Sequence, residues 1–384
     1  MPMAPGRAPA MVTSFRSTPA TLLAWGANRT GQVTGRPGPD VLRPEPVPGL
    51  PPVVAVTGNG TAALALDADG QVWGWGLGMH GLPGRRIGAA EGCGLDGGLV
   101  TEPELAVCPP ARIEGLADIV DVTMHADNAW VRDRAGRVWC WGSPHHQARP
   151  SDAGPQPVDG LPPVVQLATD PQSGTVYARD ADGGLWSWGG GWEGELGRGK
   201  RRADLVPGRV ELPAPVRTIA AAPSACLALL VDGRVHGWGH SESEIGFLPP
   251  TAKTLRVMAP VRVEGIDAVE HLWLGGGVLA IYRTATGDTF TAGIGTDRLY
   301  PADPVPRGLV RRLDLDRFAH FVLGRQCGFA VESSGAVWSF GHAQCGALGD
   351  GTPDLDEVRG LARVPLDLAP AFSAFHTAYG FARA

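Results

Sequence analysis

The stretch Gly70-Gln71-Val72-Trp73-Gly74-Trp75-Gly76 is the clearest copy of a strand that recurs seven times along the chain. The glycines that end successive copies are separated by 50, 66, 47, 50, 54 and 48 residues. A strand-and-turn repeat of this length predicts a β-propeller, because a four-stranded unit cannot bury both faces unless it packs between two neighbours. The copies end in Trp25-Gly26, Trp75-Gly76, Trp141-Gly142, Trp188-Gly189, Trp238-Gly239, Ala292-Gly293 and Phe340-Gly341.

The segments around this strand predict the other three strands of each unit. An apolar run such as 61–66 precedes it, and the pair Asp69-Gly70 joins the two, because Asp-Gly accepts the positive φ angles of a two-residue hairpin loop. A further apolar strand, such as 53–56, comes first. Proline-bounded segments such as 207–210 and 260–263 have the composition of an outermost strand, where proline removes no ladder hydrogen bond.

The two ends of the chain predict how the ring closes. Residues 22–26 correspond to the third strand of a unit, whereas residues 371–382 resemble the first two strands. We therefore expect the N- and C-terminal strands to share one blade, which removes both exposed sheet edges. The prediction is an all-β, seven-bladed propeller over 21–384 with an inserted loop at about 77–110, preceded by a disordered leader over 1–20.

The repeated Gly-x-Val-Trp-x-Trp-Gly strand, with Gly-x-Leu-Gly turns at 194–197 and 346–349, resembles the regulator of chromosome condensation repeat family of seven-bladed propellers. The resemblance covers about residues 21–383. It implies guanine-nucleotide exchange on a small GTPase in one branch, ultraviolet-B perception in another, enzyme inhibition in a third, and binding of an uncharacterised partner in most bacterial members. The Gly-Trp-Arg-His-Thr string of the ultraviolet branch does not occur here. A shared fold does not choose among these activities.

Composition argues against several classes of partner. The chain has 384 residues and a formal net charge of −6, which disfavours a nucleic-acid surface, because such a surface neutralises phosphates with clustered cations. Only Lys200 and Lys253 are lysines, and with abundant Ala, Gly and Pro this indicates a bacterial protein. No apolar segment is long enough for a signal peptide or membrane helix, so we expect a cytoplasmic monomer without a membrane partner.

Cofactor and catalytic motifs are absent from the sequence. No cysteine pair has zinc-ligand spacing, and no nucleophile elbow, metalloprotease helix or phosphate loop occurs. We therefore expect no metal, no cofactor and no catalytic residues. Cys93 and Cys108 both fall in the inserted loop, where export would favour a disulfide and a reducing compartment would favour two thiols.

Trp192 differs from the other tryptophans. Nine of the twelve occupy the repeat strand, where we expect them to pack between blades, and Trp130 takes an apolar position of its own repeat. Trp192 follows Gly189-Gly190-Gly191 instead. The sequence predicts either an exposed partner-binding anchor flanked by flexible backbone, or a side chain folded back on its own blade.

A second group of candidate site residues comes from the innermost strands. Trp273 aligns with small residues of other blades, and two positions earlier the aligned column includes Asp121, His271 and His320. Because an unpaired buried polar group costs about 1 to 3 kcal/mol, so many polar groups predict a wet channel. A ligand site at His271, Trp273, His320 and His376 is one interpretation, and a water-filled channel wall without a ligand is the other.

The sequence leaves three functions open. The favoured one is a non-enzymatic scaffold that binds an unidentified protein partner on one face of the propeller. The second is an enzyme or small-molecule binder that uses the central channel. The third is a guanine-nucleotide exchange factor for a small GTPase; that branch uses a β-wedge insertion, whereas residues 77–110 are rich in Gly and Pro without a clear strand pair.

Overall fold

A computed structural model describes residues 18–78, 81, 107–125, 128–143, 154–170, 173–240, 256–275, 279–293, 299, 311–352, 357–374 and 377–383. Within these residues the strands form seven four-stranded antiparallel sheets. The innermost strand of each sheet contacts the innermost strand of the next, and the last contacts the first. The protein is therefore an all-β, seven-bladed propeller, as the repeat spacing predicted.

The strands follow one another in chain order through the blades. The chain begins with two strands of blade 1, β1 (Leu22–Gly26) and β2 (Val41–Pro46). Blade 2 contains β3 (Val53–Gly58), β4 (Ala62–Asp67), β5 (Val72–Leu77) and β6 (Val107–Arg112). Blade 3 contains β7 (Ile119–His125), β8 (Asn128–Asp133), β9 (Val138–Gly142) and β10 (Gln156–Pro157). Blade 4 contains β11 (Val164–Thr169), β12 (Val176–Asp180), β13 (Leu185–Gly189) and β14 (Asp204–Val210).

Three further blades complete the ring. Blade 5 contains β15 (Val216–Ala222), β16 (Ala225–Leu230), β17 (Val235–His240) and β18 (Arg256–Arg262). Blade 6 contains β19 (Val269–Gly275), β20 (Leu279–Thr284), β21 (Thr289–Ala292) and β22 (Arg311–Arg312). Blade 7 contains β23 (Phe318–Leu323), β24 (Cys327–Glu332), β25 (Val337–His342) and β26 (Val358–Val364), with a 3₁₀ turn at Gln344–Gly346. Blade 1 is completed by β27 (Leu368–Ala374) and β28 (Thr377–Ala382).

Ring closure occurs in blade 1. Strand β28 pairs antiparallel with β1, from Leu22 opposite Phe381 to Gly26 opposite Thr377. The predicted sharing of one blade by the two ends of the chain is confirmed. Ala20, which the sequence placed in a leader, forms two backbone hydrogen bonds with Val53, so it belongs to the folded ring. Residues 1–17 lie outside the described residues.

The loop between β5 and β6 is shorter than the predicted 77–110, because Leu77 belongs to β5 and residues 107–110 belong to β6. Strand β6 is the outermost strand of blade 2, and Cys108 is fully buried opposite Gly76. The pair Pro109-Pro110 suggested a loop, but an outermost strand tolerates proline because one of its edges makes no ladder hydrogen bonds. Cys93 lies outside the described residues, and the predicted alternatives for its pairing stay open.

The tryptophans of the repeat strand occupy two environments rather than one. The second of each pair, as in Trp75, is buried between blades, as predicted. The first is only half-buried, and its indole N–H donates to a carboxylate at the hairpin: Trp73 to Asp67 at 3.0 Å and Trp338 to Glu332 at 2.9 Å. The prediction that all nine are core residues was therefore wrong for the half-buried ones, which are Trp73, Trp139, Trp186 and Trp338.

Because the strands of a blade alternate in direction, the connections between them lie on the two opposite faces of the propeller. We call one end the loop face; it carries the connections between the first and second and between the third and fourth strands of each blade. We call the other end the hairpin face; it carries the hairpins between the second and third strands and the links between blades. Within the described residues, no helix has the length and hydropathy needed to cross a lipid bilayer.

Candidate functional site

The Trp192 turn, residues 190–203 between β13 and β14, carries the most exposed aromatic side chain among the described residues. Trp192 is 62% exposed, which excludes the alternative in which it folds back on its own blade. Its backbone carbonyl accepts a hydrogen bond from Arg201 Nε at 2.5 Å. A large aromatic ring is thus exposed to solvent on a turn that is stabilised by an internal hydrogen bond.

The glycine run before Trp192 is tightly packed, which corrects the prediction of flexible flanking backbone. A Cβ atom on Gly190 would collide with the carbonyl oxygen of Ser173, and one on Gly191 with that of Arg202. These glycines are therefore required by close approach of neighbouring backbone rather than by mobility. The Trp192 turn is held in one conformation on the surface of blade 4.

The Gly-x-Leu-Gly sequence at 194–197 fixes the other half of the turn. The carbonyl oxygen of Glu195 accepts hydrogen bonds from Tyr177 Oη at 2.6 Å and from Trp238 Nε1 at 2.7 Å. Tyr177 belongs to blade 4 and Trp238 to blade 5, so one carbonyl joins two blades. The same device recurs at two other turns, where Gln32 O accepts from Trp75 and Tyr379, and Ala347 O accepts from Trp25.

Ion pairs attach the turn to the next blade. Both oxygens of the Glu193 carboxylate contact the Arg256 guanidinium on β18. Arg201 lies 3.6 Å and His240 3.9 Å from the same carboxylate. The hydrogen bond from Arg256 lowers the pKa of Glu193 below its ordinary value. Burial has the opposite effect on neighbouring Glu195, whose pKa is raised by desolvation.

The structure brings together three of the four residues of the predicted channel site. The His271 and Trp273 rings stack with centroids 5.6 Å apart, and Trp273 Nε1 donates to His320 Nδ1 at 3.4 Å. Desolvation lowers the pKa of His271 and lowers that of His320 to about 4, so both rings are neutral at pH 7. His376 lies outside the described residues.

Trp273 does not line an open channel, however. It is only 5% exposed and packs edge-on against Phe321, with ring centroids 5.2 Å apart. The Arg283 guanidinium lies 5.3 Å from its ring centroid. The tryptophan therefore fills the junction between blades 6 and 7, and the two histidines cover it.

The prediction of a wet channel was also wrong for the other members of the polar column. Asp121 and Gln166 are each 1% exposed. Gln166 Nε2 donates to Thr218 Oγ1 on the next blade at 3.0 Å, and Asp121 lies 3.8 Å from Arg132 Nε. Side chains of an innermost strand point toward the neighbouring blades, because both faces of every sheet are covered. Gln166 therefore pairs across the junction between blades 4 and 5, and Asp121 lies beside Arg132 within blade 3.

In blades 5 and 6, solvent reaches the innermost strand at a bulge that the sequence did not reveal. Each innermost strand has a register shift near its start, which leaves one extra residue without a direct partner. In blades 5 and 6 the extra residues are Arg217 and Glu270, and both are exposed.

No metal-binding group of three or more His, Cys, Asp or Glu side chains occurs among the residues that the structure describes.

Comparison with known proteins places these features in a family. A family model for the regulator of chromosome condensation (RCC1) repeat matches residues 182–229, which include the whole Trp192 turn. The crystal structure of Prp20p from Saccharomyces cerevisiae superposes with a TM-score of 0.78 at 21% identity, covering 97% of this chain and 94% of that one. This chain is an RCC1-repeat propeller. The structure of human WBSCR16 also shares the fold, with a TM-score of 0.78 at 19% identity over 95% of this chain and 100% of that one.

Several curated proteins are similar to this RCC1-repeat propeller in sequence. The regulator of chromosome condensation of Mus musculus is 30% identical over 222 residues, which cover 50% of this chain and 52% of that protein. The guanine nucleotide exchange factor SRM1 of Saccharomyces cerevisiae is 24% identical over 87% of this chain and 80% of its own length. The E3 ubiquitin-protein ligase HERC2 of Homo sapiens is 27% identical over 86% of this chain, which spans 7% of the ligase.

The sequence missed the charged residues that hold Trp192 in place. Glu193, Arg201 and Arg256 were not predicted as site residues. The run Arg198-Gly199-Lys200-Arg201-Arg202 was visible as the densest group of cations near a glycine-rich turn, and it was the available signal. Arg256 gave no such signal, because it is separated from Glu193 by 63 residues and approaches it only in the folded ring.

Proposed function

We propose that this RCC1-repeat propeller is a non-enzymatic protein-binding scaffold whose partner docks on the loop face around Trp192. The observation that carries the proposal is a 62% exposed tryptophan on a turn that backbone packing and ion pairs hold in place. We also propose that the protein is a cytoplasmic monomer when it is free of this partner.

A fixed, exposed tryptophan is well suited to anchor a partner. Tryptophan is enriched among the few interface residues that supply most of the binding free energy. Because the turn is already ordered, little conformational entropy is lost when the partner binds. The neighbouring strand contributes Met258, which is 40% exposed and whose carbonyl accepts a hydrogen bond from Gly199 of the turn at 2.7 Å. Methionine adapts its shape to a partner surface.

Structures of the same fold support this choice of function. One is described as Kap60 bound to yeast RCC1, at 21% identity to this chain. Another is the crystal structure of Prp20p, whose description names binding to Gsp1p and histones. At 21% identity the likeness of these structures to this chain extends to the fold alone.

Alanine substitution of Trp192 tests the proposal. We expect Trp192→Ala to weaken partner binding by about 2 kcal/mol or more, as truncation of an aromatic hot spot does. The melting temperature should stay nearly unchanged, because the side chain is exposed. The measurements are quantitative capture of partners from the native host, followed by titration of the captured partner, and thermal unfolding.

The matched control is Val231→Ala, which removes an exposed apolar side chain from the hairpin face, where Val231 is 49% exposed. This variant should bind the partner like the wild type. Equal capture by Trp192→Ala and wild type, or equal losses in both variants, would refute a docking surface on the loop face.

A guanine-nucleotide exchange activity is the second candidate, because the similarity to SRM1 extends over most of both chains. Residues 82–106, the part of the insertion that would carry a β-wedge, lie outside the described residues. Nucleotide release from the host's small GTPases distinguishes the two candidates. A scaffold leaves the release rate unchanged, whereas an exchange factor accelerates it at catalytic concentration.

A further inference from the structure

Among the residues that the structure describes, the Trp192 turn is the most cationic surface segment of an otherwise acidic protein. Four of the five residues from Arg198 to Arg202 are cationic, in a chain whose formal net charge is −6. Arg198 is paired with Asp204 at 3.1 Å, and Arg201 lies beside Glu193. Lys200 and Arg202 are exposed and form no salt bridge within the described part of the chain.

The fold does not require cations at these positions. The turn at 346–352 has the same Gly-x-Leu-Gly sequence and the same left-handed glycines: Gly197 and Gly199 have φ of 65° and 74°, and Gly349 and Gly351 have φ of 75° and 85°. Between the second pair stands Asp350, where the Trp192 turn has Arg198. Each of these two charges is paired with the next strand of its own blade, Arg198 with Asp204 and Asp350 with Arg359. In sequence, Lys200 and Arg202 correspond to Thr352 and Asp354, so the repeat does not require cations there.

The charges around Trp192 do not balance. Five cations lie at the turn and on β18: Arg198, Lys200, Arg201, Arg202 and Arg256. Two partly exposed carboxylates lie beside them in the described residues, Glu193 and Asp204, so positive charge is in excess. Trp192 and Met258 add apolar area to the same patch. The surface is thus basic and aromatic, and an acidic segment that also carries an apolar side chain is complementary to it.

We propose that this patch binds an acidic segment of a protein partner, with carboxylates at Lys200 and Arg202 and an apolar side chain against Trp192. The inference rests on the proposed scaffold function and specifies the chemistry of its partner. A protein segment is favoured over a nucleic acid because the patch is short and the protein as a whole is acidic, whereas a phosphate backbone is held by a long track of cations.

Charge reversal tests the proposal with a defined probe. The probe is a short fluorescein-labelled peptide rich in Asp and Glu with one central Leu, titrated by anisotropy. Lys200→Glu/Arg202→Glu should weaken binding by about tenfold or more, because like charges then face each other. The affinity of the wild type should fall between about 50 mM and about 200 mM salt. Replacing the Leu of the probe by Ser should weaken binding to the wild type but not to Trp192→Ala.

The matched control is Arg134→Glu/Arg363→Glu, which changes the net charge equally at two exposed arginines of blades 3 and 7. It should bind the probe almost like the wild type. Equal losses in both double variants, or no saturable binding of the probe to the wild type, would overturn the proposal. Tighter, Lys200- and Arg202-dependent binding of a single-stranded oligonucleotide or of phosphatidylglycerol vesicles would overturn it in favour of another anionic partner.

One comparison separates this inference from the proposed function. If Lys200→Glu/Arg202→Glu captures the host partner as well as the wild type while Trp192→Ala does not, the scaffold function stands and the acidic segment is refuted. If capture is independent of Trp192 as well, the proposed function itself is refuted.

Discussion

At the scale of single residues, position within the repeat strand decides what a tryptophan does. Trp186 and Trp238 belong to the same motif, yet Trp186 is half-buried and donates to Asp180 at 3.2 Å, whereas Trp238 is fully buried. The Trp238 indole joins blade 5 to blade 4 through Glu195 O. The first tryptophan therefore stabilises its own hairpin, and the second stabilises the contact between blades.

This difference predicts unequal costs for the same substitution. Trp238→Phe removes a buried hydrogen bond and leaves a cavity, so it should lower the free energy of unfolding by about 2 kcal/mol or more. Trp186→Phe should cost about 1 kcal/mol or less, because water replaces the lost donor at a half-exposed site. Urea unfolding followed by circular dichroism measures both, and equal costs would contradict the division of roles.

At the scale of elements, the junction between β19 and β23 is sensitive to acid. His320 accepts the Trp273 N–H through Nδ1, and its pKa is lowered from 6.5 to about 4 by desolvation and by the nearby His271. Between pH 6.5 and about 4, His320 is therefore protonated in the unfolded chain and neutral in the folded protein. The contribution of His320 to the free energy of unfolding is fully present above about pH 6.5 and decreases as the pH is lowered toward 4.

Replacing His320 should remove this acid sensitivity. His320→Gln keeps an acceptor for Trp273 without a titrating group, so the loss of stability between pH 6.5 and about 4 should shrink by about 2 kcal/mol. This figure is below the full value of the pKa shift because part of the ring still contacts solvent. Urea unfolding at a series of pH values measures the change. His342→Gln, on the loop face, should retain the wild-type profile, and an unchanged profile in His320→Gln would refute the assignment.

At the scale of the whole molecule, the ring depends on pairing between its two ends. The pairing of β1 with β28 places residues near opposite ends of the chain in one sheet, and β27 then contacts β3 of the next blade. Without β27 and β28, blade 1 lacks its two inner strands, and one face of each neighbouring sheet becomes exposed to solvent. Exposed edges and apolar faces promote aggregation.

Deletion of residues 371–384 should therefore abolish cooperative folding or lower the melting temperature far below that of the full chain. Calorimetry and light scattering measure the two effects. The matched truncation removes residues 1–14, the same number from the other end, and should leave the unfolding transition of the ring in place. A soluble, cooperatively folding 371–384 deletion would contradict closure by main-chain pairing.

The sequence by itself determined the repeat, the number of blades, the hairpins and the shared blade, because these depend on local alternation and turn chemistry. It also indicated that Trp192 has no place in the repeat and that Trp273 is unusual among the innermost strands. These signals are readable without tertiary structure because each concerns residues within a single strand or turn.

Only the tertiary structure decided which polar residues meet water. Gln166 and Thr218 pair across 52 residues, and Glu193 and Arg256 across 63, so neither contact leaves a pattern within one repeat. The direction of the innermost side chains follows from packing of both blade faces, and the tightness around Gly190 follows from the approach of a separate loop. Burial and pairing depend on neighbouring blades, and the ring alone brings those neighbours together.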